Sequence, residues 1–585
     1  MRRLFAAFRR YVPAFLLQLV AIFLMVAATL ELPDSMARII NQGVLAHDNA
    51  LIWRAGLFML LLALGAAAAS AVSGLLAARI ATGFGRDIRE AVFAKVESFS
   101  LAEFNTFSTA SLITRSTNDV QQLQTVLVML LRMALMAPFM GVWAIIKAYR
   151  AAPSMTWIMG LAIAILVSII AVLFGLAIPR FRRLQTLVDK LNLVTREILT
   201  GLRVIRAFNR ERFEEAKFDG VNSDIMRLNL VVNRLMILLQ PAMLLILNLA
   251  VLEIVWSGAH LIDLSRLQVG EMLAFMQYAM QAIMAFLLLT FVFILVPRAS
   301  VSAQRIAQVL NTVVTVIDPP APVVPPRRGG RVEFDRVTFA YAGAEEPVLR
   351  EVSFVALPGQ TTAIVGSTGS GKTTLINLIP RLYDPTGGSV CIDGADVRSM
   401  RLEDVYARIG YVPQTGILFS GTVASNIRYG APEAAEDAVG RAVEIAQARE
   451  FVDSAAGGYE ASISQRGTNV SGGQRQRLSI ARAIVRDPEI YIFDDSFSAL
   501  DFRTDALLRR ALRAATREKT VIIVAQRIGT IINADKILVL EEGRIVGEGT
   551  HRDLMETCEV YREIALSQLS ERELAGGGML VEATT

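Results

Sequence analysis

The sequence predicts a multidomain chain: an all-α half with six membrane-crossing helices, fused to an α/β half. Three observations carry this. The composition is 53% hydrophobic and 19% charged, with mean hydropathy +0.46, a balance common in membrane proteins and rare in soluble ones. Six apolar runs in the first half reach the ~20 residues that a bilayer core requires. After residue 330 the pattern changes to short β-rich runs with helical stretches between them. At 585 residues the chain is too long for one core in any case.

Residues 1–11, MRRLFAAFRRY, set four Arg beside apolar residues, the composition of a basic amphipathic segment on a membrane face. The apolar runs fall near 12–32, 55–78, 126–147, 155–178, 235–257 and 273–297. The first is too long for a signal-peptide core and shows no small-residue cleavage site. Segments 79–125 and 179–234 are long, rich in Arg and Lys, and keep a helical alternation. Positive-inside counting puts them and both termini in the cytoplasm of a multi-pass protein of the inner or plasma membrane. There, helices of this kind project tens of Å below the bilayer. The net charge of +5 clusters beside these spans, which argues for orientation and against nucleic acid as a partner. Two distant cysteines, Cys391 and Cys558, neither in a CxxC, and three His in all predict neither a disulfide framework nor a zinc site.

The domain plan is therefore a transmembrane domain over 1–317, a linker, an α/β domain over 331–570, and a mobile tail over 571–585. The linker, DPPAPVVPPRRGG at 318–330, holds five Pro and two Gly, and no regular element survives it. Beyond it, RVEFDRVTFAY, TTAIVG, IGYVPQ, IYIFDD and TVIIVA read as strands of a largely parallel sheet.

Residues 366–373, GSTGSGKT, match the phosphate-loop pattern, follow the strand TTAIV and open the helix TLINLIP. Gly366, Gly369 and Gly371 let backbone N–H groups wrap a phosphate, with Ser367, Thr368, Ser370 and Thr374 completing the loop and the helix start. Lys372 is expected to reach the β- and γ-phosphates of ATP, and Thr373 to ligate Mg²⁺. In IYIFDD, Asp494 ends a buried strand and is expected to hold the same Mg²⁺.

Between these lies VSGGQRQRLSIARAI, 470–484. The phosphate loop, the acid strand and an SGGQ opening a basic helix together resemble the nucleotide-binding domain of an ATP-binding cassette (ABC) transporter. Six spans ahead of one cassette resemble an exporter half-transporter, over about residues 1–570. The resemblance implies that Tyr341 stacks on adenine and that Gln414 meets Mg²⁺ and the attacking water. It implies that Ser471, Gly472, Gly473 and Gln474 hold the ATP of a facing cassette, and that the loop from Ser498 to Asp501 crosses to that cassette. TRSTNDV (114–120) and IRAFNRE (205–211) resemble the ends that dock on the cassettes. Arg475 and Arg477 read equally as shapers of the SGGQ surface and as solvated charges.

Two positions depart from the family pattern. Asp495 stands where a Glu orients the attacking water, and one fewer methylene withdraws the carboxylate by ~1–1.5 Å. A misplacement of about 1 Å can cost ~100-fold in rate. Gln526 stands where the family has a switch His, and an amide carries no imidazolium charge. The expectation is a site that binds ATP and hydrolyses it poorly. It is similar to the degenerate-site subunit of heterodimeric bacterial multidrug exporters, with an unlike partner that supplies the Glu and the His. The alternatives are a regulatory ATP-binding membrane subunit and a homodimeric exporter that uses Asp495.

The substrate is the least specified part; amphipathic drugs or lipids are the expectation. Gln277, Tyr278 and Gln281 read as one weakly polar face of the sixth span beside several Met. Helix–helix hydrogen bonding is the plainer reading of each. Glu253, in the fifth span, is the most unusual intramembrane acid.

Overall fold

The computed structural model describes residues 8–568, without the side chains of 290–295, 297 and 298. The tail 571–585, and all but the end of the basic segment 1–11, lie outside the described residues. The chain forms two compact units.

Among the described residues, six helical stretches of the first unit are long and apolar enough to cross a membrane. In chain order the helices are α1 (Val12–Arg38), α2 (Asn49–Glu97), the short α3 (Leu101–Thr106), α4 (Thr109–Ala151), α5 (Thr156–Ala207), α6 (Glu211–Ile237), α7 (Leu239–Asp263) and α8 (Val269–Asn311). All six expected spans lie within them. In hydrocarbon every backbone group must be satisfied within the segment, so apolar runs of this length become helices. At ~1.5 Å per residue, α5 is roughly 78 Å long, well beyond a ~30 Å apolar core. Its basic half, with Pro179 inside the helix, is the projection expected from 179–234.

Polar side chains tie the apolar helices together. Gln18 Nε2 donates to Leu131 O at 2.8 Å. Lys147 Nζ lies 2.6 Å from both Glu31 and Asp34. Tyr278 is fully buried, and its hydroxyl donates to Asp34 and to Leu30 O. This cluster joins α1, α4 and α8. It corrects the expected face of the sixth span. Gln277 and Gln281 stay one turn apart, exposed and half-buried, while Tyr278 turns into the packing between helices. Glu253 is half-buried and accepts from Ser257 Oγ at 2.7 Å.

The second unit holds Glu97–Thr109 together with everything from Thr312 onward. This differs from the boundary expected at 317. The first tip between spans, including α3, packs with the second half of the chain. Ser100 and Glu103 form a capping box at its start. Glu103 also accepts from Thr315 N at 3.1 Å and Thr315 Oγ1 at 2.7 Å, and Asn105 Nδ2 donates to Tyr383 OH at 2.9 Å. Burial pushes the Glu103 carboxyl up, but the hydrogen bonds from Ser100 and Thr315 more than reverse this and hold it below the usual range. TRSTNDV does not form this tip. It lies in a π-helical turn of α4, where Arg115 Nη1 donates to Arg305 O and Asp119 accepts from Ser302. IRAFNRE does form a tip, between α5 and α6, with Phe208 73% exposed.

The linker carries no helix or strand, as expected, yet it is seated: Val323 N donates to Ser399 O at 2.8 Å. Beyond it come β1 (Val332–Phe339), β2 (Leu349–Ala356), β3 (Thr361–Val365), α9 (Lys372–Leu378), β4 (Gly387–Ile392), β5 (Ala395–Asp396) and β6 (Ile409–Val412). Then follow α10 (Gly472–Ile484), β7 (Ile490–Asp494), α11 (Phe502–Ala515), β8 (Thr520–Val524), β9 (Lys536–Glu541), β10 (Arg544–Gly549) and α12 (Glu559–Gln568). One sheet runs β2-β1-β4-β5. A second, six-stranded sheet runs β10-β9-β3-β8-β7-β6, parallel except for β10. The central strands β7 and β8 are buried at every residue, which explains their unbroken apolar sequences.

Arg408 anchors the linker to this domain. It is 4% exposed, pairs with Asp393 at 2.8 Å, and donates to Pro325 O at 2.6 Å. Arg408→Ala strands a buried carboxylate, so it is expected to destabilise the domain by ~3–5 kcal/mol. Thermal unfolding of the purified chain, followed by intrinsic fluorescence, measures this; an unchanged midpoint contradicts the anchor role.

Candidate nucleotide site

Parallel register brings three strand ends to one level. Val524 of β8 faces Ile364 of β3 on one side and Asp494 of β7 on the other. The phosphate loop, the acid strand and the approach to Gln526 therefore meet at the carboxyl edge, where open α/β sheets bind ligands.

Residues 366–371 turn β3 into α9. Gly371 caps the helix at φ 102°, a conformation that excludes a β-carbon, and a β-carbon on Gly366 would sit 2.0 Å from Leu540 O. Ser367, Thr368 and Gly369 form the exposed crest, while Ser370 is buried. Lys372 curls back over the loop. Its Nζ donates to Gly366 O at 2.9 Å and Ser367 O at 2.7 Å. Burial lowers the pKa of this ammonium, with Asp495 and Asp494 opposing the shift. Thr373 Oγ1 donates to Asp494 Oδ1 at 3.2 Å. Burial raises the Asp494 carboxyl, against that hydrogen bond from Thr373. Thr374 Oγ1 and Tyr341 OH share a hydrogen bond of 2.9 Å, and the Tyr341 ring stands edge-on to Phe339 and Tyr383. At 38% exposed, that ring keeps surface for a base to cover.

These residues fit ATP and Mg²⁺. A glycine loop at a helix start, with a lysine folded over it, presents the donors a polyphosphate needs. A hydroxyl beside a carboxylate is the hard oxygen pair that Mg²⁺ takes alongside water and phosphate oxygens.

Asp495 follows at φ 45°, a left-handed conformation held by its N–H to Val524 O at 2.9 Å and by Ser498 Oγ donating to Asp495 O at 2.8 Å. Gln414 Nε2 lies 3.4 Å from Asp495 Oδ2. Gln526 is exposed, and its carbonyl accepts from Gln568 Nε2 at 2.8 Å. Asp501 caps α11 by accepting from Thr504 N at 2.9 Å.

Ser471 and Gln474 form a reciprocal capping box at the start of α10. No hydrogen bond joins 471–474 to 366–374 among the described residues. A β-carbon on Gly472 would meet nothing within 4 Å. Nothing inside this chain fills the space beside Gly472. Arg475 and Arg477 turn out to be internal ties, donating to Gly467 O at 3.0 Å and Gln447 O at 2.6 Å. Gln476 escaped sequence reasoning. Fully enclosed, it accepts from Gly416 N at 3.0 Å and donates to Pro413 O at 3.1 Å, so α10 grips the loop that carries Gln414. A polar residue on the inner face of a basic helix was the signal.

Comparison with known proteins agrees with this geometry. Residues 13–286 match the ABC transporter transmembrane region, and residues 349–498 match the ABC transporter domain. An uncharacterised ABC transporter ATP-binding protein of Mycobacterium tuberculosis is 42% identical, over 94% of this chain and 95% of its own length. The chain belongs to the ABC transporters. A fatty acid ABC transporter ATP-binding/permease protein, also of M. tuberculosis, is 34% identical over 82% of this chain and 75% of its own. The structure of a bacterial Atm1-family ABC exporter with ATP bound superposes with TM-score 0.78 at 26% identity, covering 97% of this chain and 99% of that one. The chain is thus an ABC exporter half-transporter with an Atm1-type exporter fold, a multi-pass membrane protein with an ATPase domain.

Lys372→Ala removes the one cation of the loop and is expected to weaken ATP binding by ~10–100-fold, the loss of a charge-assisted contact. Equilibrium binding of a fluorescent ATP analogue measures it. Because burial depresses the Lys372 pKa, the ammonium is fully charged at low pH and is lost on raising pH before a free lysine's ~10.4. ATP affinity of the wild-type chain should therefore fall on the alkaline side at lower pH than 10.4, and the Lys372→Ala chain should lack that fall.

Proposed function

We propose that this chain is one half of a heterodimeric exporter of the inner or plasma membrane, whose own ATP site holds nucleotide and hydrolyses it slowly. The carrying observation is Asp495. Its shortened carboxylate stands 3.4 Å from Gln414 Nε2, beyond the ordinary ~2.7–3.2 Å of an N–H···O bond. The acid that must orient a water is thus at the edge of its reach. Gln526, in place of a switch His, weakens the same site further.

In this reading Lys372 and the loop amides neutralise the phosphates, and Thr373 with Asp494 holds Mg²⁺. Ser471, Gly472 and Gly473 complete the partner's site, which supplies the competent Glu and His. Bound ATP draws the cassettes together, and the long helices α5 and α6 carry that closure to the spans. Need for a second chain is supported by surface left open here. The most apolar window of α2 has no buried residue, and Phe208 stands out at the α5–α6 tip. The cargo is a small amphipathic lipid or drug taken from the cytoplasmic side, a reading supported by the relative named for fatty acids. Glu253, Gln277 and Gln281 remain candidates for its path. A homodimeric exporter is the second reading, favoured by the fact that Asp495 still approaches Gln414.

Tagged chain purified from its native membrane in mild detergent is expected to carry a stoichiometric second half-transporter with Glu and His at the positions of Asp495 and Gln526. Recovery of a homodimer with brisk turnover supports the second reading instead. In that purified chain, Asp495→Glu alone should raise ATP hydrolysis modestly and Asp495→Glu with Gln526→His by more, read as phosphate release. A double variant that stays inert as a confirmed dimer rejects the geometric account.

A further inference from the structure

The nucleotide-binding unit carries a cleft that neither ATP nor Mg²⁺ uses. It opens between α11 and the strands β7 and β8. One recess, of about 290 Å³, has a floor that includes Phe493, Phe497, Leu512, Ile523 and Ile531, all of them buried. Arg509, Arg510 and Arg513 stand around it. A second recess, of about 440 Å³, shares Arg510, Arg513, Thr516 and Val521 with the first and adds Arg517 and Asp535. The cleft therefore has an apolar end and a basic end.

The arginines differ in what already holds them. Arg509 is structural: its Nη1 donates to Gly529 O at 2.8 Å and its Nη2 pairs with Asp505 at 3.0 Å. Arg513 is partly engaged, by Asn533 O at 3.2 Å and Asp535 at 3.7 Å. Asp535 in turn accepts from Thr361 N at 2.8 Å. Arg510 and Arg517 have no ion-pair partner among the described residues, and both are exposed. The positive charge of the cleft is thus only partly offset.

We propose that this cleft binds an amphipathic anion, a medium- to long-chain carboxylate. The planar guanidinium of Arg510, with Arg513 beside it, takes the carboxylate, for which Arg is the best-matched side chain. The alkyl chain enters the recess over this floor and covers Ala506 and the aliphatic stems of Arg510 and Arg513, which are the lining groups still open to water. A neutral chain of equal length gains only the second contribution, so the site discriminates by charge. Its location gives the binding a consequence. Phe493 directly precedes Asp494, Phe497 directly precedes Ser498, and Ile523 lies on the strand leading to Gln526. An occupant would rest against the back of the strand that ends in Asp494, the turn before Ser498 and the strand that leads to Gln526. The site involves none of the residues of the heterodimer reading and stands or falls apart from it.

The test uses the full-length chain in nanodiscs of a zwitterionic phospholipid, with a photoreactive lauric acid analogue as probe and mass spectrometry to map the label. Label is expected on peptides containing Phe497 or Ile531. Lauric acid should displace it, and lauryl alcohol should not. Arg510→Glu should weaken labelling by about tenfold, and Ala506→Phe, which fills the apolar recess, should do the same without touching charge. Arg510 has no partner to lose, so its variant is expected to fold, with ATP-analogue binding as the check. Labelling elsewhere only, equal displacement by the alcohol, or label indifferent to both variants overturns the proposal.

Discussion

The register of three parallel strands is the constraint on which the nucleotide unit depends. A phosphate loop, a metal-binding acid and a switch residue sit far apart in sequence. They become one site because β3, β8 and β7 pair without offset and end together. A one-residue slip of β7 would turn Asp494 to the opposite face of the sheet. Both faces of β7 and β8 are covered, so the apolar side chains stay buried in either register, and the polar end opposes the slip: Asp494 would lose Thr373 and the Asp495 N–H would lose Val524 O. The apolar runs that look like anonymous core in sequence hold the strands together, and the residues that end them set the register.

The same edge fixes how far Asp495 can reach. Asp495 leaves the sheet in a left-handed conformation, fixed at its N–H by Val524 and at its carbonyl by Ser498. Its backbone has no freedom to advance and restore lost reach. Where a loop could relax to bring a short acid forward, this one is clamped on both sides. Gln414 is clamped too, since Gln476 holds the loop around it from α10. The separation of the two is thus a property of two fixed supports, and only side-chain length can change it.

Most of this was legible in the chain because its physics is local. Glycines that a helix cap or a close backbone demands, apolar runs of bilayer length and a Pro-rich linker announce themselves within a few residues. Every expected strand and all six spans were found on that basis. What escaped depends on distant partners. Tyr278 reads as one face with Gln277 and Gln281 until Asp34, on another helix, is seen to accept its hydroxyl. Lys147, Glu31 and Asp34 look like ordinary charges at span ends, and only packing makes them a cluster. Residues 97–109 left the membrane unit because Glu103 finds Thr315, more than two hundred residues away. Arg475 and Arg477 read equally as shapers of the SGGQ surface and as solvated charges, and both are tied to backbone carbonyls.

A half-built site leaves a mark in the half that is present. The capping box at Ser471 satisfies its own helix start and, taken alone, explains Ser471 and Gln474. It does not explain Gly472, where any residue would fit into open space and where most would favour the helix more than glycine does. A glycine at an exposed helix start leaves room for something to approach closer than a side chain allows. The first N–H groups of a helix are unpaired by geometry and draw an anion. In this chain the phosphate loop that would supply that anion makes no hydrogen bond to Ser471–Gln474. On the reading proposed above, the glycine is fitted to a nucleotide carried by another chain, and association is then a requirement of the local chemistry and not an addition to it.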